Sequence, residues 1–410
     1  MKRRVIALSA IAAGVMLAAA GAHSASVPPL ATGDSRHVLP PIPPPVCTVL
    51  QAQFSTSQRS SPPSADDTSR LQAALDSCKD TGHSVVLAFA GPSANAFFTG
   101  SLTMSGEALI VGFGVTLYGN NGYSGQLISV TGTNAAIMGP GTIDGRGDLI
   151  SGTPRLINAK HITNFSVSNI ILEHAAKMHL YVEDGSGFTA WAISIMTPAN
   201  TKNTDGIDID SLTDATVFGS YIEDGDDGVA VKTNSGPASN ITITDNIFRG
   251  THGMSIGSQT MYGVSNVLWQ NNLVLGTDQW GNVSTDNNGL RIKSDVDCGG
   301  TVQQVTYNNT LMIGVKHLLI FNSYYGSCSG ITGIPFFTDV VVNGVVSINS
   351  QSGAYSEFNG YDADHLLGLT LLNVHLDATT QQDSQYANVG LFNSNITPAG
   401  TGVTTFPVTP

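Results

Sequence analysis

Three aspartates and a histidine stand out by their spacing. Four short segments share one pattern, Gly-apolar-x-apolar-x-[Ser/Thr]: GIDIDS at Gly206, GVAVKT at Gly228, GMSIGS at Gly253 and GLRIKS at Gly289. The residues just before these glycines are Asp205, Asp227, His252 and Asn288, and Asp226 stands beside Asp227. If the segments stack, these residues form one column. Carboxyl groups held close together resist joint ionisation, so one retains its proton and can act as an acid. An ionised neighbour can then hold and deprotonate a water. Two carboxyl groups with a water between them are the apparatus of inverting glycoside hydrolysis. His252 is placed to hydrogen-bond the acid. The residues alone leave the acid and base roles open among the three aspartates.

The outward positions of the same segments add Asp208, Asp210, Lys232, Arg291 and Lys293. Arg291 and Lys293 beside an acid/base cluster suit a substrate carboxylate, one by a fork of donors and one as a point charge. A uronic-acid sugar matches. Lys232 reads as a solvated strand face. Asn203 either lines the same cleft or caps a turn. An aspartate cluster on β-structure also suits Ca²⁺, and GDDG alone is turn chemistry. The four-step ladder is more specific than any member, and the site is expected to need no metal and no cofactor.

Alternation with period two makes each segment a half-buried strand. Ile207/Ile209, Val229/Val231, Met254/Ile256 and Leu290/Ile292 would point inward. A second unit recurs as NFSVSNII at 164, GFTAWAIS at 187, DATVFGSY at 214, NITITDNI at 240, NVLWQNNL at 266, QVTYNNTL at 304, DVVVNGVV at 339 and GLTLLNVH at 368. The longer steps after 266 would hold insertions, and TDQWGNVSTDNN at 277–288 is one candidate for closing an end of the cleft. No unit can bury its own face, so neighbours must stack. Strands one turn of chain apart run parallel, which predicts an all-β parallel β-helix with coils ~4.8 Å apart. An antiparallel sandwich also has short, evenly spaced strands, but hairpins would not demand one shared pattern. Asn-rich corners fit tight turns. Before the ladder, Asp66-Asp67-Thr68 leads into LQAALDSC, which predicts a short capping helix started by Asp or Thr.

Composition bounds the rest. The chain has 410 residues, 41% hydrophobic and 11% charged, with a net charge of −13. It is too apolar for disorder and too acidic for general nucleic-acid binding. Met1-Lys2-Arg3-Arg4, an apolar Ala-rich run and small residues near Ala22 read as a signal peptide over 1–25. A Pro-rich extended segment is expected over 26–59 and a single catalytic β-helix over 60–410. The mature chain is expected outside the membrane, exported to the exterior or the periplasm, and monomeric. Four cysteines, Cys47, Cys78, Cys298 and Cys328, allow three pairings, of which the sequence-neighbour pairing is favoured.

At these residues the sequence resembles the polygalacturonases of glycoside hydrolase family 28. NTDGID at 203–208, GDDGVAVK at 225–232, HGMSIGS at 252–258 and RIK at 291–293 are similar to that family's signature segments, in order. GPGTIDGRG at 139–147, the DSC helix and VVLAFAG add to the resemblance, which spans roughly 60–380. It implies a right-handed, pectin-lyase-like parallel β-helix and hydrolysis of α-1,4-galacturonosyl bonds of pectin with inversion. It further implies Asp226 as general acid, Asp205 and Asp227 as holders of the water, and His252 as support for the acid. Arg291 and Lys293 would bind a galacturonate carboxylate, with Asn203 lining the cleft. The sequence departs from the family at 314–326, where Lys316 and His317 stand in place of a Tyr-Gly pair and Tyr324 lies further on. Competing readings are a β-helical pectate lyase, a rhamnogalacturonan or xylogalacturonan hydrolase, and a non-catalytic carbohydrate-binding β-helix.

Overall fold

The computed structural model describes residues 25–121, 123–328 and 333–410. Residues 1–24 of the expected signal peptide lie outside that set. The protein is a right-handed parallel β-helix. Its strands join neighbours one coil away, and every strand-to-strand ladder is parallel. Three walls run the length of the solenoid.

The first wall carries the four-step ladder. Ile207 pairs with Val229, Val229 with Met254 and Met254 with Leu290. Ile209, Val231, Ile256 and Ile292 pair likewise one step on, and all eight side chains are fully buried. The wall continues through His317–Gly326, Tyr355–Asn359 and Gln381–Gln385. The second wall is the recurring unit, in register throughout: Ser166, Thr189, Thr216, Thr242, Leu268, Thr306, Val341 and Thr370 lie rung on rung. Its opening residues Asn164, Asp214, Asn240, Asn266, Gln304 and Asp339 all have positive φ, between 51° and 60°. That backbone favours Asn and Asp among side-chain-bearing residues, because their short polar groups hydrogen-bond locally. The third wall comprises Ile171–Glu173, Ser194–Met196, Tyr221–Glu223, Ile247–Arg249 and Leu273–Leu275.

The ladder glycines are required by close approach of successive coils. A Cβ on Gly206 would stand 2.4 Å from the Gly228 carbonyl oxygen, and one on Gly253 would stand 2.4 Å from that of Gly289. The tight corner so formed turns the third wall into the first, and Asp205, Asp227 and His252 stand at that corner. One core spans the interior, with large residues stacked between coils, as in Trp269 on Tyr307 at 5.6 Å between ring centres. Each such buried side chain contributes about 1.5–3 kcal/mol.

The helix Thr68–Cys78 closes one end, packing Leu71, Ala74, Leu75 and Cys78 onto the first coils. Asp67 occupies the N-cap position without bonding a helix amide through its side chain, which goes instead to Arg70 and the Phe98 amide. Asp66 supplies the capping oxygen, accepting from the Thr68 amide at 3.1 Å. Both cysteine pairs join sequence neighbours, Cys47–Cys78 at the helix and Cys298–Cys328 in a later insertion.

Candidate active site

The corner between the third and first walls brings Asp205, Asp226, Asp227 and His252 together, with Arg291 and Lys293 on the next coil. His252 Nδ1 lies 2.9 Å from Asp226 Oδ1. Asp227 accepts from Lys293 Nζ at 2.8 Å and from Ser255 Oγ at 2.6 Å, with Arg291 Nη1 at 3.6 Å. Asp226 is the most open of the three carboxylates: its side chain is 22% exposed, against 6% for Asp205 and 2% for Asp227. Asn203 lies exposed in a left-handed turn two residues before Asp205.

The carboxylates differ in their surroundings. Burial favours the protonated form of Asp227, but Lys293, Arg291, Lys232 and His252 outweigh it and hold the group well below the usual range. Burial raises Asp205 against the pull of Lys232, and the charges of Asp226 and Asp227 raise it further. Burial pushes Asp208 and Asp224 far higher still. Asp224 Oδ1 accepts the Asp226 amide at 2.9 Å and so fixes the backbone of the GDDG turn.

Lys232 is not the solvated residue expected from the sequence. It is 9% exposed, with Nζ 2.5 Å from Asp208 and 3.2 Å from Asp205. Asp210 is equally enclosed and accepts from Tyr181 and Asn234. Outward alternation marks which residues leave the core, but it does not give the depth of the groove they enter.

Two further residues belong to the site and were not singled out in the sequence. Asp286 accepts from Arg291 Nη2 at 2.6 Å and lies 3.0 Å from His317 Nδ1, so His317 supports the arginine through a carboxylate. Tyr325, rather than Tyr324, covers the cationic pair, its ring centre 5.0 Å from the Arg291 guanidinium and 4.8 Å from Lys293 Nζ. The pairing shifts register here: Lys293 faces Asn322 but Asp295 faces Gly326. That irregularity re-aims the tyrosines, as bulges do, and counting along the strand misses it. From inside the core, the Tyr307 hydroxyl donates to the Arg291 carbonyl and steadies the same strand. The 277–288 insertion folds back on the third wall, with Asp278 accepting from the Ala199 amide and the Gln279 amide donating to Glu223.

Asp226, Asp227 and His252 offer ligand atoms within 4.8 Å of one another, close enough to hold a cation. The ammonium of Lys293 already occupies one Asp227 oxygen.

A β-helical groove that combines an open carboxyl group, a buried ionised one and adjacent cations defines an acid/base enzyme of the glycoside hydrolase kind. The chain matches the model of glycosyl hydrolases family 28 over residues 83–396 and belongs to that family. It is 33% identical to an endo-polygalacturonase of Pectobacterium carotovorum subsp. carotovorum, over 92% of this chain and 96% of the relative. A polygalacturonase of Ralstonia solanacearum is 31% identical over 97% of this chain and 91% of its own. Among solved structures, a polygalacturonase from Erwinia carotovora ssp. carotovora superposes with a TM-score of 0.75 at 34% identity, covering 87% of this chain and 99% of that one.

Proposed function

We propose that the protein is an exported polygalacturonase that hydrolyses α-1,4-galacturonosyl bonds with inversion. The observation that carries this reading is the division of labour among the carboxylates beside two cations. Asp226, the most open, gives its proton to the glycosidic oxygen, and the His252 ring orients it. Asp227 remains ionised and, with Asp205, holds the attacking water. Lys232, held between Asp205 and Asp208, keeps the Asp205 carboxylate able to accept from the water. Arg291 and Lys293 take a galacturonate carboxylate, reached past the Tyr325 ring that covers both. The Pectobacterium relative named as an endo-polygalacturonase favours cleavage within the polymer.

The test is product analysis on polygalacturonate. New reducing ends should appear without unsaturated, ultraviolet-absorbing products and without sensitivity to chelators. Early products should be long oligomers. Asp226→Asn should lose about 10²–10⁴-fold in turnover, the usual contribution of a positioned acid, while melting like the parent. An Asp226→Asn protein of parental activity would refute the assignment, and unsaturated products would identify a lyase.

A further inference from the structure

The first wall extends past the catalytic rungs, and the character of the groove reverses there. In the outward row, Arg291 is followed by Ile320, Glu357 and Gln382, and in the adjacent row Lys293 is followed by Asn322, Asn359 and Gln385. Glu357 therefore lies two strand spacings, about 10 Å, beyond Arg291 on the same floor. Around it is a cavity of about 340 Å³ lined by Asn322, Tyr324, Glu357, Asn359 and Asp383, among others. Among these five lining residues are two carboxylates and no cation.

Two observations mark the cavity as a place for a ligand. Asn359 is 5% exposed, and its Nδ2 donates to Glu357 Oε1 at 3.2 Å. Its Oδ1 has no hydrogen-bond partner among the described residues, which is costly unless something fills the role. Tyr324 also lines the cavity and stacks on Tyr361 at 5.3 Å between ring centres, giving an aromatic edge beside the polar floor.

Resting on the reading of this groove as a galacturonan cleft, we propose that the cavity is a distal sugar subsite built for a methyl-esterified galacturonosyl residue. The rung at Arg291 and Lys293 suits a free carboxylate. The rung at Glu357 and Asp383 repels one, while Asn359 accepts a sugar hydroxyl and the tyrosine edge receives the ester methyl group. The enzyme thereby reads a pattern along the polymer, free acid at one position and ester further on.

Glu357 makes the selection dependent on pH. Burial raises it, the Asn359 amide opposes that, Asp383 raises it further, and Arg291 and Asn322 draw it down, leaving it at about 7. Tyr355 on its own strand also senses its charge. Below that pH the neutral carboxyl tolerates a sugar carboxylate and can donate to it. Above it, the ionised group excludes one.

The experiment compares unesterified and partly methyl-esterified oligogalacturonates at pH 5 and pH 8. Glu357→Gln should lower KM for the unesterified oligomer at pH 8 by about fivefold, the scale of one like-charge contact at about 4 Å in a water-filled cavity. KM for the esterified oligomer should stay at the parental value, and the difference should shrink at pH 5. Asp383→Asn, at an exposed position, should act in the same direction. Calorimetric titration of both oligomers into Asp226→Asn protein, with and without Glu357→Gln, reads the subsite without turnover. Equal shifts on both oligomers, or none on either, would overturn the subsite. Absence of reducing ends from the parent enzyme would instead count against the hydrolase reading, and the titration would still judge the cavity.

Discussion

Lys232 shows how much one side chain holds in place at the catalytic corner. It sits between Asp205 and Asp208, and its pKa is raised well above the ordinary value: burial opposes its charge, but Asp208, Asp205 and Asp227 prevail. Removing a buried partner leaves uncompensated charge, at a cost of about 3–5 kcal/mol. Lys232→Met should lose that much stability in urea unfolding and should also lose activity, because Asp205 would then take up a proton. Adding Asp208→Asn should restore stability more than activity. If the single variant melts like the parent, the ion pairs are not what holds this corner. At this scale the sequence was legible in part. The spacing marked Asp205, Asp226, Asp227, His252, Arg291 and Lys293, and all six meet at or beside one corner. It misjudged Lys232, and it missed Asp286, Tyr325 and Glu357. Groove depth, a register shift and rungs beyond the motif are all properties of the assembled coils.

Among elements, the Pro-rich segment proves to be a strap laid along the outside of the second wall. Ser26 pairs with Thr409 in the final strand, and the Pro45 carbonyl accepts from the Ser84 amide near the first coil. Between these ends the Ala31 amide donates to Thr306, the Thr32 and Gly33 amides to Asn266, the Asp34 amide to Thr242 and the Arg36 guanidinium to the Phe188 carbonyl. Proline removes backbone donors that such a strap would otherwise have to satisfy. The repeat units and their register could be read from residue patterns, since each strand is a local signal. The strap's course could not, because its side-chain and carbonyl partners along the second wall lie more than 150 residues away, and nothing in the repeat units they belong to marks them as contacts of an outer segment. Asn266→Gly keeps the left-handed backbone of that corner, φ 55°, and removes the side chain that accepts both amides. Hydrogen exchange at Thr32 and Gly33 should accelerate, with a stability loss of about 1–3 kcal/mol. Unchanged protection of those two amides would mean that the strap is held elsewhere.

For the whole molecule, the balance of buried acids sets the pH at which the fold is most stable. The carboxyls raised furthest in the fold, Asp208, Asp224 and Glu357, keep protons that the unfolded chain releases. Their contribution is full below about pH 4 and is lost as pH rises toward their folded values. Carboxyls lowered in the fold, Asp227 and Asp286, act oppositely: their stabilisation is present above about pH 4 and fades only in stronger acid. His179, buried and lowered to about 4, costs stability as pH falls below its unfolded value of about 6.5. Between pH 5 and 8 the three raised acids outnumber this single histidine, and the net charge of −13 adds repulsion in the same direction. The melting temperature should therefore peak in mild acid and decline toward pH 8 in calorimetry. Glu357 alone, moved from 4.5 to about 7, accounts for on the order of 3 kcal/mol of that decline. Glu357→Gln should flatten the alkaline limb and leave the acid limb in place. A melting temperature that rises from pH 5 to pH 8 would show that these acids ionise in the fold as freely as in the unfolded chain.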